Sequence, residues 1–449
     1  MAQRHRLSRC FSGEMEYTTI MRIAFHTLGC KVNQYETQVL TELFSAGGYD
    51  VVPFEQGSDI YVVNSCTVTA EGDRKSRQLL RRIRRENPQS VVVLTGCFPQ
   101  AFPDAARQIP EADIITGSAN RRSLLKAVSQ FLATGERIIE ITPHCKGESF
   151  ESMGVDDFGK RTRAFVKIED GCENYCAYCI IPTARGPVRS KPLEELGREL
   201  TALADSGHKE VVLAGINLSA AGRDQGYRLI DAIELAASVK GIQRVRLGSL
   251  EPDVITPDDF ARMAATGKVC PQFHLSLQSG SDTVLRRMGR RYDTQAYYRV
   301  VEEIRSRFEH PALTTDLMVG FPGETDREFE ESLEFAKKVG FAKIHVFSYS
   351  QREGTRAAAM PQQVQPQIKK QRSTRLIAEG EELRQSFLTN MVGTLQPVLF
   401  EERAAGGEQA GYTPNYTPVT VLEHQDLRGQ IREVRITEIS GDGCFGILV

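Results

Sequence analysis

The 449-residue sequence has no run approaching the roughly 18 apolar residues that a membrane-spanning helix needs. Its first 20 residues, MAQRHRLSRCFSGEMEYTTI, also lack the apolar core of a secretory signal. Both absences predict a soluble, cytoplasmic protein with no membrane partner. Cysteine is too scarce for a disulfide scaffold: there are 10 in the chain, so any cluster of them reads as metal ligands or reactive thiols. Neither sign of charge dominates, since 56 Lys and Arg oppose 58 Asp and Glu for a net charge of -2. That balance excludes a globally basic nucleic-acid coat and leaves room for local basic patches. Internal repeats and low-complexity tracts are absent as well. What is present is an ordinary globular composition, 41% hydrophobic and 25% charged, in a chain long enough for two to four domains of about 100 to 200 residues each.

From Met21, short apolar or β-branched runs alternate with stretches of helical spacing. RIAFHTLG, DIYVVNS, SVVVLTG and ADIITG each end in small polar residues. The rhythm predicts an α/β domain over residues 21–145, built on an open parallel sheet with helices on its faces. Residues 1–20 read as an extension, from an upstream start or a cloning remnant, because Met21 directly opens the first strand. Residues 146–160 read as a linker. A second rhythm occupies residues 161–390 and runs through RAFVKIEDG, EVVLAGINL, RVRLGSL, FHLSLQSG, LTTDLMVGFPG and IHVFSYS, closed by a helix over 366–388. Six such runs fit a partial (β/α)6 barrel, with the chemistry where strands end and loops begin. Residues 391–449 hold short runs with turn residues, GTLQPVLFEE, YTPVTVLE and IREVRITEIS, and predict a small β-barrel.

GCENYCAYC places Cys172, Cys176 and Cys179 in a C-x3-C-x2-C run just after the first barrel strand. Three thiolates on one tight loop can hold three corners of a cubane [4Fe-4S] cluster and leave the fourth iron open. Zinc is the competing metal, although a closed structural zinc site wants four ligands and no further Cys or His stands in this loop. A second set is more dispersed: Cys30 ends LGC, Cys66 ends VVNSC and Cys97 ends VLTGC, each following a predicted strand. In an open parallel sheet the carboxyl ends of neighbouring strands lie side by side at the edge where ligands bind, so these three thiolates can converge on a second cluster. The alternative is three unrelated buried cysteines, free cysteine being commonly buried. Cys10, Cys145, Cys270 and Cys444 have no ligand spacing and read as ordinary thiols, and the eight histidines read as ordinary too.

Charge is locally uneven. Residues 72–87, GDRKSRQLLRRIRREN, hold seven Arg or Lys against one Asp and one Glu. On a helix, Leu79, Leu80 and Ile83 would face inward and Arg81, Arg82 and Arg85 outward. Such a face is either plainly solvated or an RNA contact. Arg286, Arg287, Arg290 and Arg291 form a second basic cluster with the same two readings.

The C-x3-C-x2-C run, with Tyr178 before its last cysteine, resembles the signature of radical S-adenosylmethionine (SAM) enzymes. That resemblance implies an open iron that chelates SAM, and reductive cleavage of SAM to methionine and a 5′-deoxyadenosyl radical. The three-domain order resembles the methylthiotransferase family over residues 21–449. LGCKVNQYE, VVNSCTVT, VVVLTGC, GCENYCAYCIIPTARGPVRS, HLSLQSGSDTVLRRMGRRY, TTDLMVGFPGET and FSYSQREGTRAAAM carry the likeness. It implies two [4Fe-4S] clusters, SAM, tRNA as partner and an electron donor such as flavodoxin or ferredoxin. GCKVNQYE and YTPNYTPV resemble the branch that acts on threonylcarbamoyladenosine at position 37, beside the anticodon. The isopentenyladenosine branch usually has a GCQMN-like segment instead. A non-catalytic iron–sulfur RNA-binding protein is the alternative from another class, and an auxiliary cluster that only relays electrons is a third.

Asn217, Ser249, Glu251 and Gln278 fall at strand ends, where polar side chains can hydrogen-bond SAM or merely cap loops, and the resemblance implies that Tyr178 of the signature also lies at the cofactor. Gly320 and Gly323 would let a ligand approach the backbone, or would simply form a turn. Arg185 and Arg189 are expected to bind the threonyl carboxylate of the substrate through paired hydrogen bonds. The terminal β-barrel resembles the TRAM RNA-binding module.

Overall fold

The computed structural model describes residues 20–155, 161–404 and 406–449. The predicted extension lies outside the described residues up to position 19, as does the end of the predicted linker at 156–160.

The N-terminal sheet holds β1 (Arg22–Thr27), β2 (Asp50–Val51), β3 (Ile60–Ser65), β4 (Val91–Gly96), β5 (Ile114–Thr116) and β6 (Ile138–Glu140). Their order is β2-β1-β3-β4-β5-β6, and every pairing is parallel. Apolar residues on both pleat faces explain why the inner strands read as unbroken hydrophobic runs. Ile60, Val62, Val91 and Val93 pack on one face with Leu40, Phe44 and Val128. Tyr61, Val63, Val92 and Leu94 pack on the other with Leu80, Ile83 and Phe98. The four predicted strands are all present. β2 and β6 escape the pattern because two or three partly exposed edge residues carry no period.

The central domain holds β7 (Arg163–Lys167), β8 (Glu169–Asp170), β9 (Arg189–Ser190), β10 (Glu210–Ala214), β11 (Arg244–Leu247), β12 (Ser249–Leu250), β13 (Gln272–Leu275), β14 (Ala312–Val319) and β15 (Lys343–Ser348). β7, β10 and β11 form one parallel sheet, and β12 to β15 form another. β11 and β12 are two halves of one strand interrupted at Gly248, so the six predicted runs make an open half-barrel with helices outside. Val166, Leu213, Val245, Phe273, Leu275 and Leu313 bury its outer face against those helices. β8 and β9 pair antiparallel and clasp the base of the cysteine loop, Glu169 opposite Ser190. The predicted closing helix spans Pro366–Thr389.

β16 (Leu395–Arg403), β17 (Glu408–Tyr412), β18 (Pro418–Leu422), β19 (Ile431–Ser440) and β20 (Gly443–Leu448) close a barrel in the order β16-β17-β18-β20-β19. It docks on the strand starts of the half-barrel. Arg163 pairs with Glu401 at 2.5 Å, Arg244 donates to the Pro397 carbonyl at 2.6 Å, and Arg246 donates to the Pro414 carbonyl at 2.9 Å. Among the described residues no helix is long and apolar enough to cross a membrane.

Candidate active site

β1, β3 and β4 are neighbours in the sheet, so Cys30, Cys66 and Cys97, which follow them, lie along one edge. Gly29 makes their approach possible. Its backbone is left-handed, at φ +111°, and a Cβ there would meet the Cys66 Cβ at 2.8 Å and its sulfur at 3.1 Å. The Cys30 and Cys97 sulfurs approach the same Asn33 Oδ1, at 4.0 and 3.9 Å. Asn33 is itself fixed, its Nδ2 donating to the Leu28 and Ser65 carbonyls.

The second triad sits on the loop after β8. Cys176 is buried, and Cys172 and Cys179 are partly so. Burial pushes the Cys97, Cys172 and Cys179 thiols up to about 12. Thiols in such surroundings ionise only with a compensating cation, which the irons of a cluster would supply. Among the described residues, no three His, Cys, Asp or Glu side chains converge closely enough to hold a single metal ion. In a cubane each thiolate takes a different iron, which calls for a wider spacing than a one-ion site. With three thiols each, one set along a single sheet edge and the other on a single loop, both triads have the donor set of a [4Fe-4S] cluster that leaves one iron open.

The strand-end residues give a second test of fit. Asn217 Oδ1, Gln278 Oε1 and Glu169 Oε1 are buried with no hydrogen-bond partner among the described residues. Buried acceptors left this way cost free energy, and a ligand rich in amino and hydroxyl donors would satisfy them. SAM carries both kinds of donor. Gln278 also holds a left-handed backbone, φ +67°, of the kind that non-glycine residues adopt when the surroundings demand it. Ser249 is exposed at the interruption of its strand. Tyr178 packs partly buried beside Met288 and Met318. The Glu251 carboxylate accepts from Arg290, which also donates to the Cys176 sulfur at 3.3 Å. Glu251 thus holds Arg290 against the radical-signature triad.

Gly320 and Gly323 both hold a left-handed backbone, at φ +72° and +75°. A Cβ at Gly320 would collide with Lys369 of the Pro366–Thr389 helix, and one at Gly323 would meet Gln362 at 3.2 Å. Side chains of the chain itself thus stand beside both glycines. Arg185 departs from expectation. It is 0% exposed, and its Nη1 and Nη2 donate to Glu36 at 2.5 and 3.0 Å. Its carboxylate partner is therefore Glu36 of the N-terminal domain rather than a substrate. Arg189 donates to the Arg185 and Pro187 carbonyls, both at 2.8 Å, and is buried with it. Arg81, Arg82 and Arg85 do stand outward, with side chains 71%, 53% and 75% exposed. They line an open groove of about 710 Å³ along the Ala70–Glu86 helix.

The sequence reading overlooked Asn33, Glu36, Lys167 and Asp170. Glu36 also pairs with Arg121 at 2.7 Å and with Lys167 at 2.9 Å, and Lys167 pairs with Asp170 at 2.6 Å. A signal was available. Asn33 and Glu36 lie on the buried stripe of their helix with Val32, Tyr35, Val39 and Leu40, where polar residues need a partner.

Residues 166–336 match the Radical SAM superfamily, and residues 22–117 match Uncharacterized protein family UPF0004. The threonylcarbamoyladenosine tRNA methylthiotransferase MtaB of Bacillus subtilis (strain 168) is 39% identical over 420 residues, 92% of this chain and 93% of that protein. The MtaB of Aquifex aeolicus (strain VF5) is 37% identical over 85% of this chain and 93% of its own length. The tRNA-2-methylthio-N(6)-dimethylallyladenosine synthase of Pelotomaculum thermopropionicum is 33% identical over 94% of this chain and 96% of its own. Among solved structures, the radical S-adenosylmethionine methyltransferase TsrM of Kitasatospora setae shares the fold, with a TM-score of 0.56 at 14% identity, covering 76% of this chain and 74% of that one. With two thiol triads on adjoining domains and relatives of this identity along nearly its whole length, the chain belongs to the radical SAM methylthiotransferase family.

Proposed function

We propose that this chain transfers a methylthio group to carbon 2 of N6-threonylcarbamoyladenosine, at position 37 beside the tRNA anticodon, in the cytoplasm. The observation that carries the reading is the pair of cysteine triads at strand ends of two abutting domains, each with three thiols and an arginine donating to one of its sulfurs. Identities of 39% and 37% to two MtaB proteins, against 33% to the dimethylallyladenosine synthase, support the choice of acceptor. The unreactive aromatic C–H bond at that carbon is beyond what side chains can attack, so bound SAM and the two clusters supply the hydrogen abstraction and the methylthio sulfur.

The chain's own residues bind and orient. Cys172, Cys176 and Cys179 hold one cluster, and Cys30, Cys66 and Cys97 the other. Asn217 and Gln278 offer acceptors to the amino and hydroxyl groups of SAM, while Arg290 stays fixed between Cys176 and Glu251. The outward guanidiniums of Arg81, Arg82 and Arg85 attract RNA phosphates without reading sequence. An anticodon-loop base can be splayed into the half-barrel without opening a duplex. A low-potential donor of the flavodoxin or ferredoxin type delivers the electron.

The test is mass spectrometry of nucleosides from threonylcarbamoylated tRNA after anaerobic incubation with reconstituted protein, SAM and dithionite. A methylthio gain on that nucleoside, lost in Cys176→Ala, is expected. A gain on isopentenyladenosine alone would reassign the acceptor, and 5′-deoxyadenosine without either product would sink the transfer reading.

A further inference from the structure

We infer that Arg185 is a positioning residue of the auxiliary cluster, whose N–H bond to the Cys97 sulfur sets that cluster's reduction potential. The inference rests on the assignment of Cys30, Cys66 and Cys97 as the cluster's ligands. Arg185 ends the short Ile181–Arg185 helix that begins two residues after Cys179, so it leaves the radical-signature loop and enters the neighbouring domain. Its Nε donates to the Cys97 sulfur at 3.1 Å.

The other donors of the guanidinium are all engaged. Nη1 reaches Glu36 at 2.5 Å and Asp170 at 3.4 Å, while Nη2 reaches Asn33 at 2.5 Å and Glu36 at 3.0 Å. An arginine has five N–H donors, so none remains for a substrate. The fork is locked in one orientation, and that orientation aims Nε at sulfur.

The surroundings are ionic as well. Arg121, Lys167, Arg185 and Arg189 are buried among the equally buried carboxyl groups of Glu36, Asp170 and Glu169. Glu148 and Glu151, more exposed, touch the outer cations at 3.9 and 3.7 Å. Thiolates holding a cluster would bring negative charge to the side that Arg185 faces, where its guanidinium meets the Cys97 sulfur directly. Hydrogen bonds and fixed positive charge at cluster sulfurs favour the reduced, more negative state and so raise the potential. Arginine suits the task because it never deprotonates and its planar fork holds sulfur and carboxylate at once.

A purely structural bridge between the domains would leave the potential alone, and that difference is measurable. In a Cys172→Ala, Cys176→Ala, Cys179→Ala background only the auxiliary triad can take a cluster. Full-length protein in that background is reconstituted anaerobically, and its reduced-cluster EPR signal is followed in a potentiometric titration. We expect Arg185→Lys and Arg185→Gln to retain iron and to shift the midpoint to more negative potential, Gln further than Lys. An unmoved midpoint with iron retained would overturn the inference. A second measurement needs no Arg185 variant to fold: after exchange into deuterium oxide, pulsed EPR of the parent background should detect an exchangeable deuteron coupled to the reduced cluster. Its absence would equally overturn the inference. Failure of the parent background to bind iron would instead overturn the ligand assignment on which the inference stands.

Discussion

Glu36 sits in the contact between two domains with three cations around one carboxylate, Arg121, Lys167 and Arg185. Burial alone would raise its pKa, but those cations outweigh it and hold the carboxyl at about 2, against 4.5 for a free glutamate. A carboxyl depressed by folding contributes stability that is complete above its unfolded value and lost as pH falls toward its folded one. We therefore expect the melting temperature of the metal-free protein to drop steeply between pH 4.5 and pH 2. Glu36→Gln should cost about 3 kcal/mol at neutral pH, because it strands buried cations, and should flatten that acid response. A variant melting like the parent would refute the account. At this scale the placement of the six cysteines after their strands was legible, because spacing and order along the chain are sequence properties. The partners of Arg185 were not, since they depend on which residues a second domain brings across, 149 positions away in the case of Glu36.

The Ala70–Glu86 helix shows what element-level patterning reveals. Thr69 caps it by accepting from the Gly72 N–H, Leu80 and Ile83 are buried, and the arginines between them face outward. Arg84, just past Ile83, is only half-buried and is bound to Asp113 at 2.5 Å. Replacing Arg81, Arg82 and Arg85 together with Gln should leave stability within about 0.5 kcal/mol, as exposed substitutions usually do. The same triple variant should weaken tRNA binding and reduce the salt dependence of log K by about 2, at roughly 0.7 to 0.9 for each phosphate no longer neutralised. Filter binding at several salt concentrations reads both. An unchanged slope would return this face to plain solvation. Most strands were legible for a comparable reason: burial on both faces demands an apolar run. The break at Gly248 was not, because RVRLGSL reads as one strand and only the curvature of the half-barrel divides it.

For the whole molecule, the terminal barrel is attached at one end of the half-barrel and the cysteines lie at the other. Arg163 and Arg244, whose contacts fasten the terminal barrel, are the first residues of β7 and β11, while Cys172 follows the clasp just beyond the end of β7. The terminal barrel was legible from the short runs with turn residues in residues 391–449, whereas this opposition of ends was not. Arg244 and Arg246 dock on backbone carbonyls, which leave no mark in the sequence, and Arg163 docks on Glu401, 238 positions away. The arrangement makes the protein a ruler. β7 has five residues, which at about 3.3 Å each amount to about 17 Å. An RNA held by the terminal barrel must reach at least that far before its base meets the clusters. Shortening the anticodon stem of a model substrate should therefore raise KM in steps while kcat stays near the parent value, and a KM indifferent to stem length would deny the terminal barrel any grip on the RNA. Where KM does climb as the stem shortens, selection among tRNAs rests on reach as much as on the identity of the modified base.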